Sequence, residues 1–381
     1  MAKVIFIGSD RNIFKEGSVA RSRMIEYGAL FEELHIIIFN SGKKFKPAKI
    51  ADNIFIYPTN SLNRWFYPFT GSRIIKNIIK KRGGEGWVVS AQDPFESGLA
   101  GYWASQKTYA KLHIQVHTDF LSPFFKWQSL VNILRLWIAS VVLQKADGVR
   151  VVSQRIRSSL STFNFQLKTN PEVLPIFAEK NNYTDVSPYD FKKDRPDWTF
   201  VILTVGRIEP EKNFSLAVRG LNIIRQKYPN AGLVIVGEGS LKDNLKRSVN
   251  FLDLSKNVLF IDGWQENLAP FYKGADIYIQ TSNYEGLGLS AIEAAYSGLP
   301  VVTTDVGAAG WIFRDGENSK IYPVGDEKAL ALSVINLIED NQIRERIIAN
   351  LKNNFGQELI QSKTEYLKKY KESIESCFNR V

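Results

Sequence analysis

The chain has 381 residues, 44% of them hydrophobic and 12% aromatic, which is enough for two or three cores and excludes a disordered chain. One cysteine, Cys377, excludes an internal disulfide and fits a reducing compartment; with three histidines it leaves no convincing metal cluster. The formal charge of +10 is uneven: residues 1–175 carry 24 Lys and Arg against 12 Asp and Glu, the remainder 25 against 27.

The chain opens on MAKVIFIGSD, a short apolar strand without the long apolar core of a signal peptide. A loop, SDRNIFKEGS, and a helix from Val19 to Phe31 follow. Further strands are expected at ELHIIIFN, NIFIYP, GWVVSA, KLHIQVH and GVRVVS, with a last one near Pro171–Pro175. Short apolar runs separated by helical segments signal a parallel sheet covered on both faces. No run of about twenty apolar residues occurs; the nearest, Leu130 to Gln144, is broken by Asn132 and Arg135 and reads as a buried helix. His113 and His117, four apart in KLHIQVH, lie on a strand and do not suggest a metal site.

Residues 178–198 are polar and carry several Pro, Asp, Asn and Lys, the composition of a linker. A second series follows, with strands FVILTVG, GLVIVG, NVLFIDG, DIYIQTS, LPVVTTD and SKIYPV. The fold expected is α/β: two doubly wound Rossmann-like domains facing across a cleft, at residues 1–177 and 199–356. A C-terminal helical segment, 357–381, packs back on the first domain.

The chemistry gathers at the strand ends of the second series. SNYEGLGLSAIEAAYSGLPVV, residues 282–302, places Glu285 in a glycine-rich turn and Glu293 eight residues on. Gly286 and Gly288 let backbone approach a ligand, and the following helix start favours an anion. Ser290 and Glu293 also fit a capping box, which would make Glu293 structural. GRIEPEKN supplies Arg207 and Lys212, two cations suited to a diphosphate, although Glu209 and Glu211 also allow a solvated charged loop. Gly237, in VGEGS, is a further close-approach glycine, and Trp264, in IDGW, is available to stack on a base or to pack.

On these motifs the chain resembles the retaining glycosyltransferases of family 4 (glycosyl transferases group 1), with the GT-B fold. The resemblance covers nearly the whole second domain and extends more loosely to QVHTDF in the first. It implies a retaining, hexosyltransferase-type enzyme. Arg207 and Lys212 would hold the nucleotide diphosphate, and Glu293 the ribose hydroxyls. Glu285 would lie near the transferred sugar, and the backbone of Gly286, Leu287 and Gly288 near sugar and phosphates. His117 would reach the donor sugar. In the first loop many members carry a Gly-Gly pair, whereas here Gly17 stands alone beside Arg11, Lys15, Arg21 and Arg23. The resemblance implies a nucleoside diphosphate sugar, UDP- or GDP-linked, as co-substrate. No other cofactor is expected, and without a D-x-D motif no metal.

The acceptor is expected to be a saccharide or a lipid-linked saccharide, in surface polysaccharide or glycolipid synthesis. The basic first domain and the aromatic run RWFYPF, residues 64–69, suggest a cytoplasmic protein in peripheral contact with the inner face of an anionic membrane. Other readings stay open: a sugar-nucleotide epimerase or a phosphorylase on the same fold, or a non-catalytic binder of membrane or nucleic acid. A nicotinamide-dependent oxidoreductase ranks low because IGSDRN replaces G-x-G-x-x-G after the first strand.

Overall fold

The computed structural model describes residues 1–163, 165–263, 265–360 and 362–378. The chain divides into two compact units, Met1–Pro175 joined by the stretch from Ser362, and Ile176–Gln361.

The first unit runs β1 (Lys3–Gly8), α1 (Val19–Gly28), β2 (Glu33–Ile38), β3 (Ala48–Ala51), β4 (Ile54–Pro58), α2 (Tyr67–Arg82), β5 (Trp87–Ala91) and α3 (Glu96–Thr108). It continues through β6 (Lys111–Val116), α4 (Pro123–Gln128), α5 (Leu130–Lys145), β7 (Gly148–Val151), α6 (Gln154–Thr162) and β8 (Glu172–Val173). The sheet order is β3-β4-β2-β1-β5-β6-β7-β8, parallel except for the edge strand β3, which is antiparallel to β4. Val4, Ile5 and Ile7 of β1 are fully buried, as a central strand covered on both faces requires.

The second unit begins with α7 (Phe191–Asp194), β9 (Phe200–Val205), α8 (Phe214–Lys227), β10 (Ala231–Val236), α9 (Lys242–Phe251), β11 (Val258–Ile261) and α10 (Ala269–Gly274). After it come β12 (Ile277–Gln280), α11 (Leu289–Tyr296), β13 (Val301–Thr304), β14 (Lys320–Tyr322), α12 (Glu327–Glu339) and α13 (Asn341–Asn354). Its six strands form one parallel sheet in the order β11-β10-β9-β12-β13-β14. The chain then returns to the first unit as α14 (Lys363–Glu375). There Tyr366, Tyr370 and Ile374 are buried on one stripe of the helix. Gln115 donates to the Tyr370 hydroxyl at 2.9 Å, and His113 Nε2 meets Ser373 Oγ at 3.2 Å.

Two expectations are corrected. Residues 178–198 are part of the second unit and not a free linker, because aromatics hidden in the polar stretch bury themselves. Phe191 and Trp198 are 3% and 5% exposed. The Trp198 ring lies where a Cβ on Gly232 would sit, 2.1 Å away, and its indole donates to the Lys256 carbonyl at 2.9 Å. Tyr189 donates its amide to the Pro270 carbonyl at 2.9 Å. The second correction concerns α5. Only one face, with Ile138, Ala139, Val142 and Leu143, is buried, while Leu130, Ile133, Leu134 and Trp137 are exposed. Among the described residues no helix is long and apolar enough to cross a membrane.

Candidate active site

In the second sheet β9 and β12 are neighbours, yet β10 lies beyond β9 and β13 beyond β12. The loops leaving β9 and β12 therefore part at their carboxyl ends, the place where open α/β sheets receive ligands. The two loops are stapled together. Thr281 Oγ1 donates to the Lys212 carbonyl at 2.9 Å, and Asn283 donates through its amide to Glu211 O at 2.8 Å and its Nδ2 to Pro210 O at 3.1 Å. Asn213 caps α8 from a left-handed conformation, φ 47°, and donates to Asn283 Oδ1 at 3.0 Å. Asn tolerates that region better than most residues, so a small cost in strain holds Lys212 in place.

At the junction Lys212 Nζ lies 2.5 Å from Glu285 Oε1, which also accepts from Ser282 Oγ at 2.7 Å. Both charged side chains are mostly buried, 18% and 11% exposed. Ammonium and carboxylate thus share one partly dry point at the sheet's switch. Arg207, in the same loop, points to solvent with 70% of its side chain exposed and pairs with Glu211 at 2.6 Å. Glu209 accepts from the Ser240 amide and hydroxyl at 2.8 and 2.7 Å. The charged loop is thus internally ordered.

Glu293 lies on α11, and the capping-box reading does not hold. Gly288, not Ser290, is the N-cap, without a side-chain cap. Ser290 Oγ instead accepts from the Tyr278 hydroxyl at 2.8 Å. The Glu293 carboxylate accepts from Tyr272 at 3.0 Å and from the phenol of Tyr183. Burial pushes its pKa up, and the two phenols hold it back. Tyr183 and Tyr272 are themselves pushed up, first by burial and then by the carboxylate they serve. Both Glu285 and Glu293 act on Tyr278, whose pKa is raised mainly by burial. The Tyr278 hydroxyl itself bonds to Ser290 Oγ and the Val205 carbonyl, not to either carboxylate. Sequence reasoning missed Tyr183, Tyr272 and Tyr278, since a tyrosine in a strand or a polar stretch carries no local signature.

The glycines divide by cause. Gly288, at φ +86°, starts α11 where a Cβ would lie 2.9 Å from Gln280 Oε1. Gly237 packs against the neighbouring loop, since a Cβ there would meet the Gly206 carbonyl oxygen at 1.9 Å. Gly286 and Leu287 are buried in the glutamate turn, and Leu287 O accepts the Ala308 amide at 2.9 Å. Trp264 lies outside the described residues.

Gly17 and His117 belong to the first unit. Gly17, at φ +74°, precedes Ser18, the N-cap of α1, with open space around its Cα. The loop's cations are partly used internally: Arg11 donates to Phe39 O and Tyr67 at 3.4 and 3.3 Å, while Arg21 and Arg23 pair with Glu16 and Asp10 at 3.7 and 3.9 Å. His117 follows β6, and its Nε2 is shielded with no hydrogen-bond partner among the described residues. Burial, then Arg150, Arg23 and His113, hold its pKa down to about 3. Below its ordinary value of 6.5 the unfolded chain takes up a proton that the folded chain refuses. This contribution to stability is therefore lost as pH falls from 6.5 toward 3. In histidine-labelled NMR spectra the resonance removed by His117→Gln is expected to stay neutral at pH 5; titration near 6.5 would refute a shielded ring.

Residues 185–354 match the family model described as glycosyl transferases group 1. The second unit is a group 1 glycosyltransferase domain. A lipopolysaccharide core biosynthesis glycosyltransferase, LpsE of Rhizobium meliloti, is 31% identical over 156 residues, 41% of this chain and 44% of that protein. The matched part thus spans less than half of that relative's length. An uncharacterised glycosyltransferase of Methanocaldococcus jannaschii is 27% identical over 342 residues, covering 80% of this chain and 74% of its own. The crystal structure of Anabaena HepE in complex with UDP and glucose superposes with a TM-score of 0.76 at 19% identity, over 99% of this chain and all of that one. That likeness shows the GT-B fold. Within the group 1 domain, the loops after β9 and β12 are the part whose geometry bears on chemistry.

Proposed function

We propose that the protein is a metal-independent, retaining glycosyltransferase of family 4. It would move a sugar from a UDP- or GDP-sugar to a saccharide or lipid-linked acceptor, in surface polysaccharide or glycolipid synthesis. The observation that carries this reading is the Lys212–Glu285 junction at the switch point of the second sheet, with Glu293 on the helix α11 that follows the same turn. The reading is supported by the family match, by a lipopolysaccharide-core relative, and by the UDP and glucose named with the HepE structure.

The chemistry follows from charge. As the glycosidic bond breaks, negative charge builds on the leaving diphosphate. Lys212 supplies a mostly buried ammonium, Arg207 an exposed guanidinium, and the uncapped start of α11 its amide groups. Glu285 holds Lys212 and faces the sugar. Glu293 accepts from ribose hydroxyls, for which Tyr183 and Tyr272 now stand in as donors. Departure and attack on one face, assisted by the leaving phosphate, accounts for retention without a covalent intermediate.

Thermal unfolding with UDP, GDP, ADP and their sugar conjugates tests the donor site. A ligand at a hundred times its dissociation constant adds about 2.7 kcal/mol to stability. One base class is expected to raise the melting temperature of the wild type and not that of Glu293→Ala. No shift with any nucleotide at saturating concentration would refute the reading.

A further inference from the structure

Helix α5 is apolar on both sides, but only one side is covered. Leu130, Ile133, Leu134 and Trp137 recur at the spacing of one helical face, and that face is open to water, with Leu130 85% and Trp137 66% exposed. Just before it, Trp127 of α4 is 73% exposed. Helix α3 joins this surface to α2. Arg135 of α5 donates to Glu96 of α3 at 2.8 Å, and the ring of Trp103 in α3 meets that of Phe69 in α2 at 4.9 Å. At the start of α2 the exposed group continues with Leu62, Trp65 and Phe69. Helices α2 and α5 follow β4 and β6, so both groups of side chains lie toward the edge of the layer at the strands' carboxyl ends. Large apolar side chains exposed together on neighbouring helices mark an interaction surface.

The charge on these segments has one sign. Residues 53–84 and 120–146 hold nine Lys and Arg and no Asp or Glu, although Arg135 and Arg82 are committed to Glu96 and Glu33. Arg64 and Lys126 lie over the rings of Trp65 and Trp127, at 5.5 and 5.0 Å. Tryptophans bordered by cations suit a boundary with phosphate on the outside and hydrocarbon beneath. A second copy of the same surface is a poor partner, because a two-fold contact would set the cations of one copy against those of the other.

We propose that the exposed face of α2, α4 and α5 docks the first unit on an anionic lipid bilayer. Tryptophan and leucine side chains enter the interface, and the surrounding Lys and Arg meet the lipid phosphates. This surface stands independently of the donor site; if both hold, the acceptor is met at the membrane surface.

Sedimentation of the full chain with vesicles tests the docking. Vesicles of mixed phosphatidylglycerol and phosphatidylcholine are expected to carry the protein down at low salt. Phosphatidylcholine alone, or high salt, is expected to weaken binding by about tenfold or more. Trp127→Ser with Trp137→Ser removes apolar contact at constant charge. It is expected to lower binding to anionic vesicles by a similar factor while leaving the melting temperature and any nucleotide-induced shift unchanged. Absence of binding to anionic vesicles at low salt would overturn the proposal, as would equal binding by wild type and double variant. Self-association of the wild type that the double variant abolishes would assign the surface to a second copy and overturn it as well.

Discussion

Replacing Lys212 by alanine is expected to lower the rate of sugar transfer by about 10²–10³-fold, the typical loss when one preorganised donor to developing charge is removed. The ammonium is not a loose surface charge. It is held by Glu285 at 2.5 Å, its own carbonyl is tied by Thr281, and the next residue, Asn213, donates to Asn283. Such a group needs no reorganisation as charge reaches the diphosphate. The loss should therefore fall mainly on kcat, with a smaller change in the donor KM. Arginine is a poor substitute, since a planar fork cannot occupy the point between Glu285 and an incoming phosphate. A cycle of Lys212→Met, Glu285→Gln and the double variant, read by thermal unfolding, is expected to give a coupling of about 0.5–3 kcal/mol. Lys212→Ala turning over within about threefold of wild type would remove Lys212 from the chemistry, whatever the coupling.

The largest expected loss of stability lies in the first unit, at Arg150. Arg150 is 2% exposed. It donates to Gln115 Oε1 at 2.7 Å and twice to Leu174 O, at 3.1 and 2.9 Å, and lies 5.0 Å from the ring of Tyr370. Burial pushes the Tyr370 hydroxyl up to about 12, with Arg150 pulling the other way. Arg150→Ala would strand two buried acceptors, at about 1–3 kcal/mol each, and leave a cavity beside them. A total of about 3–5 kcal/mol is expected. Arg150→Met keeps most of the volume and should lose less. Because the chain has two units, the effect is best read by hydrogen exchange, as lost protection in β6 and β7 with β9 and β10 unchanged. A loss below about 1 kcal/mol would mean that other groups carry this core.

The parallel strands were legible because buried strands of this kind are runs of Val, Ile and Leu that nothing else requires. Strand β3 was not: Ala48–Ala51 is a short, exposed edge with no apolar run. In the candidate site, Glu285 and Lys212 could be placed in loops at strand ends and Glu293 on the helix that follows. The Lys212–Glu285 contact could not, because it joins loops 73 residues apart. Asn213 is in principle readable, as a residue that accepts positive φ, but nothing nearby in sequence says that the chain needs it. Helix α5 shows a limit of periodicity. With apolar residues on both faces, its sequence cannot say which face the fold covers.

The return of α14 to the first unit sets an order of events during synthesis. The first 175 residues leave the ribosome with the part of their sheet over β5 and β7 that α14 covers still open, since Tyr366, Tyr370 and Ile374 are not yet made. Tyr27 and Gln115 wait for partners 339 and 255 residues downstream. Closing such long separations is slow, and apolar surface left open in the meantime is prone to aggregation. The second unit, translated as one uninterrupted stretch, has all its partners to hand and can settle first. In this chain the part translated first is the part finished last, and its nascent form is a natural client for chaperones.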